Sequence, residues 1–170
     1  MILETLRMVR DGLEHAGTGV NAVLSTLPID PGDTKPRRIE RIVCAADTRD
    51  VAQLKVHDDP YIAVMQSGPA QMQGEVGQVT RDSDSLPVSV LYVTKRQGDE
   101  VVEESLYVIR AVVKAIRELM RSSREADRLR NGICILSTRN IVAGPTDEEL
   151  GTGRIRAEVA LDLAVRDTVA

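Results

Sequence analysis

The sequence predicts an α+β fold: one domain over residues 1–170, with a mainly antiparallel sheet and helices packed on one face. Three observations carry that expectation. Ile155, Ala157, Val159, Leu161, Leu163 and Val165 alternate with Arg154, Arg156, Glu158, Ala160, Asp162, Ala164 and Arg166, the period of a long half-buried strand. Between Val101 and Ser122 the apolar residues repeat at three and four, the period of a long amphipathic helix. The elements follow in the order helix, short helix, strand, strand, loop, strand, long helix, strand, strand. A chain of 170 residues can bury one sizeable core without disulfide or metal staples.

Each element has its own signal. Ile2, Leu3, Leu6, Val9 and Leu13 form one apolar stripe of a first helix, opposite Glu4, Arg7, Arg10 and Asp11, and Gly17 and Gly19 end it. Val20, Val23, Leu24 and Leu27 continue at helical spacing, and Asp30-Pro31-Gly32-Asp33 is a turn or loop. Ile39 to Ala45 and Tyr61 to Met65 read as strands. The polar stretch from Asp47 to Pro60 between them is either irregular or carries one helical turn. The segment 66–86 holds Gly68, Pro69, Gly74, Gly77 and Asp82-Ser83-Asp84-Ser85, with almost no large apolar residue. It is expected to be a long flexible loop that orders on docking, because it cannot bury enough surface to offset its ordering entropy.

Val88 to Val93 is an apolar strand, and Gln97-Gly98-Asp99 turns into the long helix. Its expected buried face is Leu106, Ile109, Val112, Val113, Ile116, Leu119 and Met120, with Arg110, Lys114, Arg117 and Arg121 outside. The apolar side of the last strand is expected to pack on the part of that face made by Leu106, Ile109, Val113 and Ile116. Asn131-Gly132 punctuates. Ile133 to Leu136 is a short buried strand with Asn140 to Val142 as its possible continuation, and Gly144-Pro145-Thr146-Asp147 is expected to be a loop.

Composition excludes several functions. There is no Trp and no Phe, only Tyr61, Tyr92 and Tyr107, so no aromatic platform for single-stranded nucleic acid is expected. The net charge of −4 and the lack of an obvious basic patch argue against sequence-specific nucleic-acid binding. Arg greatly outnumbers Lys, which suits protein interfaces and a GC-rich coding sequence equally. No apolar run approaches the roughly 18 residues of a membrane span. Met1-Ile2-Leu3-Glu4 lacks the features of a signal peptide. Cys44 and Cys134 read as buried free thiols in a reducing, cytosol-like setting.

No catalytic, cofactor-binding or metal-ligating residues are expected, and no enzyme activity. His15 stands four residues after Asp11, where the two could meet on one helix face, but it reads as a surface residue compensating the helix dipole. His57 precedes Asp58 and Asp59; three adjacent loop residues converge poorly on one ion, so a polar loop is the expectation. Glu103-Glu104, Asp147-Glu148-Glu149, Asp82 and Asp84 read as solvated surface or helix N-terminal charge. There is no glycine-rich phosphate loop, no G-x-S-x-G elbow and no CxxC or H-x-x-x-H spacing.

Three stretches carry a likeness to a known family. The first helix runs into Gly19-Val20-Asn21-Ala22-Val23-Leu24. The strand Leu86-Pro87-Val88-Ser89-Val90-Leu91-Tyr92-Val93 leads into a long helix at Glu103 to Met120. The alternating strand from Ile155 to Val165 closes the chain. In element order, length and hydrophobic texture the chain resembles the tail terminator proteins of long-tailed phages, also called tail completion or head–tail joining proteins. The resemblance implies a virion structural protein that forms a homo-oligomeric ring, six subunits by preference. The ring caps the tail tube, stops its polymerisation and joins the head connector, with the genome passing through its channel and no cofactor involved. Expected partners are copies of itself, the tail tube protein and the head completion or connector protein. The expected location is the tail or neck of the virion, after assembly in host cytoplasm. The alternatives are another neck or tail component, such as a stopper or tail tube protein, and a small cytosolic enzyme or regulatory domain.

Overall fold

Helices α1 (Ile2–Glu14) and α2 (Val20–Thr26) open the chain, joined by a tight turn at Gly19. A Cβ at Gly19 would lie 2.4 Å from the Leu13 carbonyl oxygen and 2.5 Å from that of His15, so only glycine lets the two backbones approach this closely. The computed structural model describes residues 2–54, 59–71, 84–126, 133–150 and 153–167. Strands β1 (Arg41–Ala45) and β2 (Tyr61–Gln66) are parallel, with helix α3 (Thr48–Gln53) in the crossover between them. Strand β3 (Asp84–Thr94), the long helix α4 (Asp99–Ala126) and the strands β4 (Ile133–Leu150) and β5 (Gly153–Asp167) complete the order. The five-stranded sheet runs β1-β2-β3-β5-β4, antiparallel at every pair except β1–β2. The α+β class and the mainly antiparallel sheet are as the sequence predicts.

Strand alternation divides the apolar residues between two cores. Ile62, Val64, Val88, Val90, Tyr92, Val159, Leu161, Leu163 and Val165 face α1, α2 and α4 in the main core. Ala63, Leu91 and Val93 point to the other face, where Val51 of α3 and Leu150 at the end of β4 cover them. The short helix α3 is thus an addition to the expected single helical face.

Four expectations are corrected. First, the buried face of α4 is rotated. Val101, Ser105, Val108, Ala111, Val112, Ala115, Ile116 and Met120 are buried, whereas Leu106 is 45 % and Val102 51 % exposed. Ile109, Val113 and Leu119 pack only partly against the core. Ala111 and Ala115 belong to the true face, both fully buried in the main core. Second, the alternation of β5 is broken at Arg156, where the register to β3 shifts between Tyr92 and Val93. Ile155 therefore joins Leu91 and Val93 in the second core rather than packing under α4.

Third, Gly144-Pro145-Thr146-Asp147 is no loop but part of β4. Pro145 is tolerated because β4 is an edge strand, and Asn140, at φ 50°, accommodates an irregularity between Arg139 and Val142. Fourth, the expected loop 66–86 is shorter. Gln66 belongs to β2 and Asp84 to Leu86 belong to β3, while Gln71 and Ser85 exchange backbone hydrogen bonds of 2.8 and 3.0 Å. Pairing with β5 holds the half-buried Asp84 and Ser85 in the strand, and Leu86 is fully buried. Residues 72–83, with Gly74, Gly77 and Asp82, lie outside the described residues, as do His57, Asp58 and Asn131-Gly132.

Candidate functional site

Among the described residues, a dense polar cluster forms where the segment 28–40 meets the first turns of α4 and the end of β3. Glu104 is 4 % exposed, on the sheet-facing side of α4 in phase with Val101 and Val108. Its Oε1 accepts from Arg37 Nη2 at 2.8 Å, and Oε2 accepts from the Arg37 backbone N–H at 3.0 Å and from Nε at 3.2 Å. The buried Tyr92 hydroxyl donates to Oε1 as well. Arg37 also donates from Nη1 to Asp59 Oδ2 at 3.1 Å and from Nη2 to Thr94 Oγ1 at 2.9 Å. Asp59 Oδ1 accepts from the Lys95 backbone N–H at 2.9 Å.

The electrostatics follow from this geometry. Burial alone would raise the Glu104 carboxyl, but hydrogen bonds from Arg37 and Tyr92 outweigh it and hold the group below its ordinary value. Burial, reinforced by the adjacent Glu104 carboxylate, pushes the Tyr92 phenol up. The hydrogen bond to Glu104 raises Arg37 against the opposing effect of its burial. Both carboxylate oxygens of Glu104 and all three guanidinium nitrogens of Arg37 are engaged within the chain. The arrangement is a clasp on the connecting segment, not an acid or base presented to a substrate. Two further contacts hold the same segment. Asn21 exchanges hydrogen bonds with the Ile39 backbone at 2.8 and 2.9 Å. The Tyr107 hydroxyl donates to Asp33 Oδ2 at 2.7 Å and accepts from the Asp30 N–H at 3.0 Å.

The reading of Glu104 as solvated charge is therefore overturned. A signal was present in the sequence: Glu104 lies three residues after Val101 and four before Val108, on the buried period of α4. Nothing in the pattern named Arg37 as its partner. Asp147 takes hydrogen bonds from Arg154 Nε at 2.7 Å and Arg156 Nη1 at 2.9 Å, and Glu158 accepts from the buried Ser89 hydroxyl at 2.7 Å. Arg156 and Glu158 are thus half-buried and bonded rather than free on an outer face.

His15 sits just past the end of α1. Its Nδ1 accepts from the Gly17 and Thr18 backbone N–H groups at 3.2 and 3.3 Å, so the ring closes the turn to α2. Asp11 pairs instead with Arg10 at 2.7 Å. His57 and Asp58 lie outside the described residues, and Asp59 is committed to the clasp. Among the described residues no three His, Cys, Asp or Glu side chains are grouped to hold a metal ion. Cys44 is a partly buried free thiol, raised by burial, and Cys134 stands opposite Arg166 in the β4–β5 pairing. No helix among the described residues is long and apolar enough to cross a membrane.

Apolar surface is the other feature of note. Val102, Leu106 and Val142 are 51 %, 45 % and 68 % exposed, and Ile2 and Leu3 stand out at the start of α1. Ile2, Leu3 and Leu6 line a groove of about 430 Å³ with Cys44, Ala45 and Asp50. No protein-family model matches the chain, and no curated protein is found similar to it.

Proposed function

We propose that this chain is an assembly subunit, a tail terminator that forms a ring on the end of a phage tail tube and joins it to the head connector. The observation that carries the assembly reading is the apolar ridge on α4. Val102 and Leu106 are exposed, and Ile109 and Val113 continue the ridge half-buried. Two exposed aliphatic residues, continued at helical spacing by two that their own chain covers only in part, are the kind of surface that a protein partner covers. The clasp at Glu104 supports the same reading, because it fixes the frame of α4 on which this ridge stands. The narrower identity rests on the element order: an N-terminal helix pair, a strand leading into a long helix, and a closing alternating strand.

The test is tail assembly from purified tube protein with and without the chain, followed by electron microscopy. Tails of uniform length capped by a ring of this chain are the expected result. Tails that elongate equally in its presence, with no added density at their ends, would remove the terminator reading.

A further inference from the structure

The apolar ridge of α4 has the same spacing read from either end. Val102, Leu106, Ile109 and Val113 follow one another at steps of four, three and four residues, a row roughly 16 Å long. At about 100° per residue they share an arc of about 60°. Asp99, Glu103, Arg110, Lys114 and Arg117 occupy the next arc of about 60°, on the side of the ridge opposite the buried Val112 and Ile116.

This second row changes sign along the helix, acidic at Asp99 and Glu103 and basic at Arg110, Lys114 and Arg117. Arg110 stands over the Tyr107 ring, 5.8 Å from its centroid. Asp99, Lys114 and Arg117 are exposed and Glu103 is half-buried, and none of the four has an ion-pair partner among the described residues. The helix dipole accounts for Asp99 but not for the others, since its effect fades within a turn of each end. A phosphate backbone does not fit the row either, because it selects cations alone and leaves the ridge uncovered.

A second copy of the same helix does fit. Laid antiparallel about a two-fold axis between Leu106 and Ile109, two copies set Val102 level with Val113 and Leu106 level with Ile109. The symmetric spacing makes both matches hold at once. In that register Asp99 comes within about 2 Å, along the helix axis, of Arg117 of the second copy, and Glu103 within about 3 Å of its Lys114. The reversal that aligns the ridges therefore also sets the acidic half of each row beside the basic half of the other.

We infer that α4 of one copy pairs antiparallel with α4 of a second, the two ridges forming the centre of the contact and Asp99–Arg117 and Glu103–Lys114 its rim. The contact is isologous, so it closes at two copies. It goes beyond the ring reading and does not rest on it: a ring needs head-to-tail contacts, whereas this pairing covers α4 in the free chain.

The experiment uses the full chain, with mass followed by sedimentation from about 1 µM to about 1 mM. The wild-type mass should double over that range and stop at two copies. Asp99→Lys with Glu103→Lys makes the row wholly basic, and Lys114→Glu with Arg117→Glu makes it acidic apart from Arg110. Each double variant should self-associate about tenfold more weakly or worse, because like charges then face one another. Mixed in equal amounts, the two should form a one-to-one pair tighter than either alone, and salt should loosen it. The chain carrying all four changes should dimerise again, since its signs are only exchanged. Leu106→Glu should weaken pairing by about tenfold or more, the effect of removing a central apolar contact. In dilute solution the variants should melt like the wild type. If a double variant melts lower, Glu103→Lys and Lys114→Glu alone take its place. A wild type that stays monomeric over the whole range overturns the pairing. So does a mass that climbs past two copies, or charge variants that combine no better than each does with itself. Tail assembly separates the two readings. A chain that dimerises through α4 yet leaves tail length unchanged upholds the pairing and rejects the terminator. A chain that ends tails while staying monomeric in solution does the reverse.

Discussion

Glu104 is a carboxylate that burial would drive toward its neutral form, and only its partners keep it charged. Its folded value lies below the ordinary 4.5, so its stabilising contribution is complete above that pH and is lost as pH falls through the folded value. Glu104→Gln keeps the shape but leaves the Arg37 guanidinium without its counter-charge. The variant should lose about 3 kcal/mol near neutral pH. Its stability should also decline less steeply than that of the wild type as the solution is acidified below the ordinary carboxyl value. Urea unfolding across a pH series checks both, and parallel curves for the two proteins would rule out Glu104 as the titrating group. Gly19 is the second single residue on which the fold turns. A methyl group there meets two backbone carbonyls that cannot step aside, so Gly19→Ala should cost about 3 kcal/mol, at the upper end of ordinary overpacking. Thermal melting reads it directly, and an unchanged midpoint would show that the α1–α2 turn opens without cost. The role of Gly19 as a helix boundary was visible in the sequence. The role of Glu104 was hidden because its partner lies 67 residues away in the chain.

Helix α4 carries two adjacent apolar stripes, and the choice between them was decided by the sheet rather than by the helix. The larger side chains, Leu106, Ile109 and Val113, make the more conspicuous pattern in the sequence. The stripe that packs contains Ala111 and Ala115, both fully buried in the main core with the apolar side of β5. Ile116→Ala and Leu161→Ala, both in the main core, should cost about 2–5 kcal/mol by leaving cavities. Leu106→Ala should leave the dilute monomer within about 0.5 kcal/mol of the wild type, as exposed positions do. Chemical denaturation of the three variants side by side settles which stripe is buried. A Leu106→Ala loss equal to that of Ile116→Ala would restore the stripe the sequence favoured. The same limit shows in the strands. The period of two in β5 was plain from Ala157 to Val165, where pairing with β3 is regular. It misplaced Ile155 because a register shift depends on the partner strand and leaves no mark on the alternation itself. In β4, Gly144 and Pro145 carry turn chemistry, yet an edge strand tolerates both.

At the scale of the molecule, helices α1, α2 and α4 cover one face of the sheet, while α3 and the end of β4 contribute to the smaller core on the other. What remains exposed and apolar on the helical elements lies at the start of α1 and along the outer flank of α4. An interface built there would couple folding to association, because assembled subunits resist unfolding by mass action. The thermal midpoint of the wild type should therefore rise with protein concentration once association begins. Each further decade above the dissociation constant adds about 1.4 kcal/mol, which for a domain of this size is roughly 4 °C. Leu106→Glu should hold a constant midpoint over the same range and coincide with the wild type at the dilute end. Calorimetry or circular dichroism across three decades of concentration separates the two effects of that side chain. A midpoint lowered equally at every concentration would mean that Leu106 supports the fold of the single chain. A midpoint lowered only where the wild type associates places its contribution between copies, as the proposed assembly requires.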